Sequence, residues 1–244
     1  MEPSAAQDQG HPPAAAGDAD LLTLTKGRVE AFSDGVIAVA ATLLVLEIKE
    51  PGLGTNIWVF LGGQLFPLAA YATSFLTILI FWVNHHALFH TIHRVDRTLL
   101  FLNGMLLLAI TFISYATAVL GQALKAGHYD KSAAVLYALA MGVASACFTG
   151  LWAYLAARPH LHIPAARPRV PSALRRSLIG PSLYSLAGVV ALFDAQASLA
   201  VDTVVALYFA LLPRHLRRDP PVRTTAHAAV DNAAVHPDAE AFSG

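Results

Sequence analysis

The feature that most constrains this chain is an apolar stretch that carries an acid, Asp34, in its first third. Residues 28–49 read RVEAFSDGVIAVAATLLVLEIK. The hydrocarbon core of a bilayer is about 30 Å thick, and about 20 apolar residues of helix cross it. The stretch therefore predicts a membrane helix. Because an ionisable group facing lipid costs several kcal/mol, the carboxylate of Asp34 needs partners inside the protein.

The composition extends this prediction to the whole chain. Of the 244 residues, 56% are hydrophobic and only 13% are charged, whereas about 25% are charged in a soluble domain. The mean hydropathy is +0.54. These values indicate an all-α polytopic membrane protein that lies in the lipid bilayer. The formal net charge is zero, so no bulk positive field points to nucleic acid as a partner.

Six spans are predicted from the apolar runs and the turn residues between them. They lie at about 28–49, 58–83, 98–120, 133–157, 177–193 and 197–212. The six-helix domain is predicted over residues 23–213. The flanking tails, 1–22 and 214–244, are rich in Ala, Pro, His or Asp and are predicted to be mostly disordered.

The positions of lysine and arginine predict the orientation, because cytoplasmic loops collect these residues. With six spans, every lysine and arginine except Lys49, Lys125 and Lys131 lies on the side that holds both termini. Both termini are therefore predicted to be cytosolic, in a multi-pass protein of the cell membrane. Models with five or seven spans would mix the two sides.

The first span has two distinct faces on an ideal helix of 3.6 residues per turn. Seven residues fall within about 60° of one line, and Asp34 points roughly 140° away from it. The line comprises Arg28, Phe32, Gly35, Val39, Thr42, Leu43 and Leu46. Periodicity alone is typical of a lipid-facing or core surface as much as of a pore.

Several polar residues share the depth of Asp34, which lies about 9 Å into the first span at 1.5 Å per residue. The end of the second span and the start of the third bring further polar groups to this layer: Trp82, Asn84, His85, His86 and Asn103. Indole, imidazole and amide donors can satisfy a buried carboxylate. We therefore expect a polar network around Asp34.

Three motifs at these residues resemble the potassium channels of the transmembrane protein 175 family. They are RxxxFSDG from Arg28, WxNHH from Trp82 and RxDxxLLFLN from Arg94 to Asn103. The resemblance implies a homotetramer of six-helix chains whose first helices line a central pore. It further implies potassium as the permeant ion, no cofactor, and no TVGYG-type filter, a motif that this sequence also lacks.

The resemblance also assigns roles to residues. It places an apolar constriction, acting as a hydrophobic gate, at Val39, Leu43 and Leu46, with Thr42 as a polar ring. The remaining motif residues form a structural polar network: Arg28, Phe32, Ser33, Asp34, Trp82, Asn84, His85, His86 and Asn103. The implied function is a weakly discriminating, leak-like potassium channel. The apolar line opposite Asp34 is consistent with this assignment.

Two alternatives come from other residues. A proton- or cation-coupled secondary transporter could use Asp34 and Asp202, although a packing role for Asp202, bonded to Ser182 or Ser185, is the simpler interpretation. No second copy of the first motif supports the repeated halves of a transporter.

The second alternative is a metal-dependent membrane enzyme. It could use the cluster of His85, His86, His90 and His93, in which His86 and His90 have the i,i+4 spacing of zinc ligands. No HExxH motif completes such a site, so we expect no obligatory metal there and no enzymatic activity.

Overall fold

The computed structural model describes residues 26–46, 48, 50–125 and 131–211. Within these residues the regular secondary structure is helical, with loops between the helices and one isolated β-bridge. The α-helices are α1 (Lys26–Leu46), α2 (Ile57–Gly62), α3 (Leu65–Phe89), α4 (Arg97–Lys125), α5 (Lys131–Ala156), α6 (Val170–Ser177), α7 (Ile179–Ala191) and α8 (Ala195–Leu211). The predicted tails, 1–22 and 214–244, lie outside the described residues.

Four of the described helices are long and apolar enough to cross a membrane: α1, α3, α4 and α5. The predicted fifth and sixth spans correspond to α7 and α8, which have only 13 and 17 residues. At 1.5 Å per residue, α7 is about 20 Å long, less than the thickness of the hydrocarbon core. The fold is thus that of a helical, multi-pass membrane protein.

The predicted second span is not one helix from residue 58 to residue 83. It is divided into the short helix α2 and the long helix α3, with Gly63 and Gln64 between them. Pro67 gives the physical reason, because it has no N–H to donate to the carbonyl of Gly63 four residues earlier. In the first turn of α3 the missing donor costs nothing, since that N–H would have no partner in the helix.

The same helix also extends beyond its predicted end. The predicted spans leave residues 84–97 as a polar connector, but α3 continues to Phe89. The polar side chains are accommodated within the helix: Asn84 Nδ2 donates to the carbonyl of Ile80 at 2.9 Å, and His85 is buried against a neighbouring helix. Polarity along the sequence was therefore a poor guide to the end of this helix.

The core lies where α4 and α5 pack between the other helices. Side chains such as Ile110, Ile113, Tyr137 and Met141 are completely buried there. Helix α1 packs against α3 and α4, and α7 packs against α5. A Cβ at Gly180 would collide with Ser145 Oγ, so the glycine permits the close approach of α7 to α5.

Two loops on one side of the fold hold each other in place. Ile92 of the α3–α4 loop forms an antiparallel bridge with His162 of the α5–α6 loop. At the start of α4, Asp96 Oδ1 accepts a hydrogen bond from the backbone N–H of Leu99 at 2.8 Å. Its other oxygen, Oδ2, accepts the hydroxyl of Tyr154 in α5 at 2.5 Å. These contacts fix the end of α3 relative to α4 and α5.

Candidate functional site

One face of α1 is buried against the neighbouring helices. The position of this buried face fixes the directions in which the other faces of α1 point. Its buried residues recur every three or four positions, as expected for one face of an α-helix: Val29, Ser33, Ile37, Ala40 and Leu44. Ser114 Oγ of α4 donates to the backbone carbonyl of Ala40 at 2.9 Å and ties the two helices together near the middle of α1.

The line predicted to face a pore is exposed in the single chain. Val39, Leu43 and Leu46 are 55%, 43% and 74% exposed. Phe32, Gly35 and Thr42 on the same line are exposed as well. Because these residues follow the helical period, they form one continuous strip on α1 that nothing in the described part of the chain covers.

Thr42 is the only hydroxyl-bearing residue on this strip. Its Oγ1–H donates to the backbone carbonyl of Val39 at 2.9 Å, so the hydroxyl proton is engaged by the helix itself. The oxygen lone pairs remain available on the exposed side. This arrangement presents an acceptor to whatever lies outside the strip, which suits a cation better than an anion.

A chain of hydrogen bonds links three helices behind the strip. His85 Nε2 of α3 donates to Asn103 Oδ1 of α4 at 2.8 Å, and Asn103 Nδ2 donates to Ser33 Oγ of α1 at 2.9 Å. Ser33 Oγ then donates to the carbonyl of Val29 at 2.8 Å. All three side chains are buried. The amide oxygen of Asn103 accepts only, so the proton of a neutral His85 lies on Nε2.

Asp34 belongs to a second, separate contact. Its Oδ1 accepts the indole N–H of Trp82 at 2.9 Å. The carboxylate is half-buried rather than buried, and it lies at the edge of a groove of about 250 Å³ between α1 and α3. Ala38, Ala41, Phe75 and Leu79 line the groove. This groove face of α1 is distinct from the exposed strip and from the buried face.

We expect Asp34→Ala to lower the free energy of unfolding by about 1–3 kcal/mol, because Trp82 Nε1 loses its charged acceptor. Asp34→Asn keeps an acceptor oxygen and should lose less. Arg28→Ala is the control, since Arg28 is exposed and makes no hydrogen bond or ion pair within the described residues. Thermal unfolding in detergent measures all three; equal losses for Arg28→Ala and Asp34→Ala would contradict this assignment.

Four residues of the predicted polar network do not join these contacts in the described part of the chain. Arg28 and Phe32 are exposed, and Asn84 bonds only to its own helix. His86 Nε2 faces His90 Nε2 at 3.0 Å rather than Asp34. The predicted network is thus two contacts, Ser33–Asn103–His85 and Asp34–Trp82.

Asp202 lies in α8 and is only 1% exposed. The predicted hydrogen bond to Ser182 or Ser185 is wrong, because neither carboxylate oxygen has a hydrogen-bond partner among the described residues. Ser182 Oγ donates instead to the carbonyl of Leu178. No hydrogen bond joins Asp202 to Asp34 in the described residues.

Sequence reasoning missed several interhelical contacts among the described residues, of which two matter most for α1 and the core. One is the bond from Ser114 to α1. The other is a cluster in which Ser74 Oγ lies 2.7 Å from Thr117 Oγ1 and 2.9 Å from Tyr137 OH, joining α3, α4 and α5. The sequence did contain a signal for these contacts, namely hydroxyl side chains at similar depth in different apolar spans. Such side chains form hydrogen bonds between neighbouring membrane helices.

Fold and site together define a helical multi-pass membrane protein with an uncovered apolar strip on its first helix. The family model described as the endosomal/lysosomal potassium channel TMEM175 matches residues 28–113. A potassium channel of Streptomyces collinus is 41% identical over 187 residues, which are 75% of this chain and 90% of the relative. A potassium channel of Chamaesiphon minutus is 38% identical over 190 residues, which are 76% and 93% of the two chains.

A solved structure extends the similarity to the fold. The crystal structure of a lysosomal potassium-selective channel TMEM175 homolog from Chamaesiphon minutus superposes with a TM-score of 0.65 at 37% identity, covering 77% of this chain and 97% of that chain. The chain therefore belongs to the TMEM175 family. This confirms the family that the three sequence motifs predicted.

Proposed function

We propose that this protein is a potassium channel and not an enzyme. The observation that carries the proposal is the continuous exposed strip on α1, in a chain that matches most of the length of relatives named as potassium channels. An exposed apolar strip on a membrane helix has two uses, contact with lipid or the wall of a pore. The polar chain directly behind this strip favours the pore, because it holds α1 rigidly against α3 and α4.

We further propose a homotetramer with α1 of each chain at the axis. Helix α1 has two uncovered faces, the strip and the groove face beside Asp34. A tetramer around a central axis covers both of these faces. The four strips meet at the axis, and the groove of each chain lies next to a neighbouring chain. The small side chains of Ala38 and Ala41 on the groove face suit close helix contact in a membrane.

In this arrangement the six spans are α1, α3, α4, α5, α7 and α8, within the domain of residues 23–213. The end of α3 and the start of α4 face the cytosol, together with the tails at 1–22 and 214–244. The excess of lysine and arginine on this side supports the orientation, and the bacterial relatives support the cell membrane as the location.

The constriction consists of rings of Val39, Leu43 and Leu46, with the Thr42 hydroxyls between them. An apolar ring gates by dewetting and lacks the backbone carbonyls that replace the hydration shell of potassium. The Thr42 oxygens offer four acceptors per tetramer, a weak substitute for such a filter. We therefore propose a leak-like channel with modest discrimination of potassium against sodium.

Reconstituted liposomes test this function. Protein is placed in vesicles loaded with potassium and diluted into sodium, and the membrane potential is read with a voltage-sensitive dye. A channel produces a potential that is negative inside and grows with the potassium gradient, in the absence of any proton gradient. Empty liposomes are the control. Potassium movement that requires a proton gradient, or no movement at all, would contradict the proposal.

A further inference from the structure

Two histidines at the end of α3 face each other: His86 lies in the last turn of the helix, and His90 is the residue directly after it. His86 and His90 are one helical turn apart, and both side chains are exposed in the single chain. Their Nε2 atoms are 3.0 Å apart, with ring centroids at 4.4 Å and ring planes at 82°. Neither the proposed pore nor the polar chain uses these two nitrogens.

The separation of the two nitrogens suits a transition metal. Neutral imidazole nitrogens bind zinc at about 2.0–2.1 Å, and two such ligands at tetrahedral or square-planar angles are roughly 2.9–3.4 Å apart. The observed distance lies within this interval. Both Nε2 atoms must be unprotonated to bind a metal, so the ring that donates Nε2–H to the other in the metal-free pair would carry that proton on Nδ1 instead.

We propose that His86 and His90 form a reversible binding site for a divalent transition-metal ion such as Zn²⁺ or Ni²⁺. No group of three or more His, Cys, Asp or Glu side chains suited to a metal occurs among the described residues. Water therefore completes the coordination, and the ion exchanges readily. This site differs from the obligatory zinc of a hydrolase, which needs three protein ligands and an activated water.

The site lies directly beside a contact of the first helix. The ring of His86 stacks on Trp82, with centroids 6.3 Å apart and planes at 24°, and Trp82 Nε1 donates to Asp34 of α1. Trp82 thus reports on the site, because a paramagnetic ion such as Ni²⁺ held by His86 quenches the fluorescence of a neighbouring indole. This readout does not depend on ion conduction.

Titration of the untagged full-length protein in detergent with NiCl₂ and ZnCl₂ tests the proposal. Calorimetry should show one ion per chain that is lost in the double variant His86→Gln/His90→Gln. Each single variant should weaken binding at least about tenfold, since one of two ligands is lost. Quenching of tryptophan fluorescence by Ni²⁺ should decrease in parallel, and MgCl₂, an ion that prefers oxygen ligands, should neither bind nor quench.

The variant His93→Gln/His160→Gln is the matched control, because both side chains are exposed histidines outside the pair. It should bind Ni²⁺ like the unchanged protein. Equal binding by the unchanged protein and by His86→Gln/His90→Gln would overturn the proposal. Stoichiometric zinc that survives purification and chelation would overturn it as well, because two exposed ligands do not hold an ion so tightly.

Discussion

Replacing Leu43 with serine is expected to raise potassium flux in reconstituted liposomes about tenfold and to weaken any preference over sodium. Leu43 lies on the exposed strip between Val39 and Leu46. In the proposed tetramer its four side chains form a dry ring, which an ion crosses with part of its hydration shell lost. A hydroxyl both shortens the side chain and admits water. A tenfold increase corresponds to a barrier lower by about 1.4 kcal/mol.

Val45→Ser is the matched control for this variant. Val45 is on the same helix and is 50% exposed in the single chain, close to the 43% of Leu43. It lies on the Asp34 side of α1, away from the strip, and its substitution should leave permeation nearly unchanged. If Val45→Ser raised flux as much as Leu43→Ser, the pore would not be lined by the strip.

Cysteine labelling tests the same assignment without measuring flux. The single native cysteine, Cys147 in α5, is first replaced by alanine. Cysteine at Val39, Leu43 or Leu46 should then react with water-soluble thiol reagents, whereas cysteine at Ala38 or Ala41 should be protected by the neighbouring chain. The opposite pattern, in which cysteines at positions 38 and 41 react and a cysteine at position 43 is protected, would mean that α1 presents its other face to the axis.

Asn103→Ala is expected to cause the largest loss of stability, about 3–5 kcal/mol in the free energy of unfolding. The amide of Asn103 is the middle of the buried hydrogen-bond chain, so its removal leaves both His85 Nε2 and Ser33 Oγ without this partner. Ser33 Oγ keeps its hydrogen bond to the carbonyl of Val29, but a buried His85 Nε2 without a partner costs about 1–3 kcal/mol, and the loss of packed side-chain volume adds to this.

Asn84→Ala is the control, because it removes the same atoms from an exposed position. Among the described residues, Asn84 Nδ2 bonds only to the carbonyl of Ile80 in its own helix, and a substitution of this kind changes stability by about 0.5 kcal/mol or less. Denaturant or thermal unfolding of the detergent-solubilised variants gives both values. Similar losses at the two positions would show that the Ser33–Asn103–His85 chain does not stabilise the fold.

The amino-acid sequence was sufficient to predict the class of the protein and the faces of its first helix. Apolar length and charge position identify a membrane protein, because the bilayer requires long apolar helices. The helical period separated Val39 and Leu43 from Asp34, and the structure places them on different faces. The motifs identified the family, which the relatives confirm.

The end of α3 shows where sequence reasoning stopped. The sequence shows that Asn84, His85 and His86 are all polar. On a helix, however, successive side chains point about 100° apart, so the three cannot share one environment. Only the neighbouring helices decide which of them turns inward. The structure buries His85 against Asn103, leaves Asn84 outside and sets His86 against His90.

By itself the sequence therefore predicted that α1 crosses a membrane, that Asp34 lies away from the apolar strip, and that Asn103 is about as deep as Asp34. All three predictions depend on how residues are spaced along each predicted helix, which the backbone geometry fixes. Tertiary structure alone decided the partners: Trp82 for Asp34, Asn103 for Ser33, and none for either oxygen of Asp202 within the described residues. Partners depend on the rotation and depth of each neighbouring helix, which the packing of all the side chains sets together.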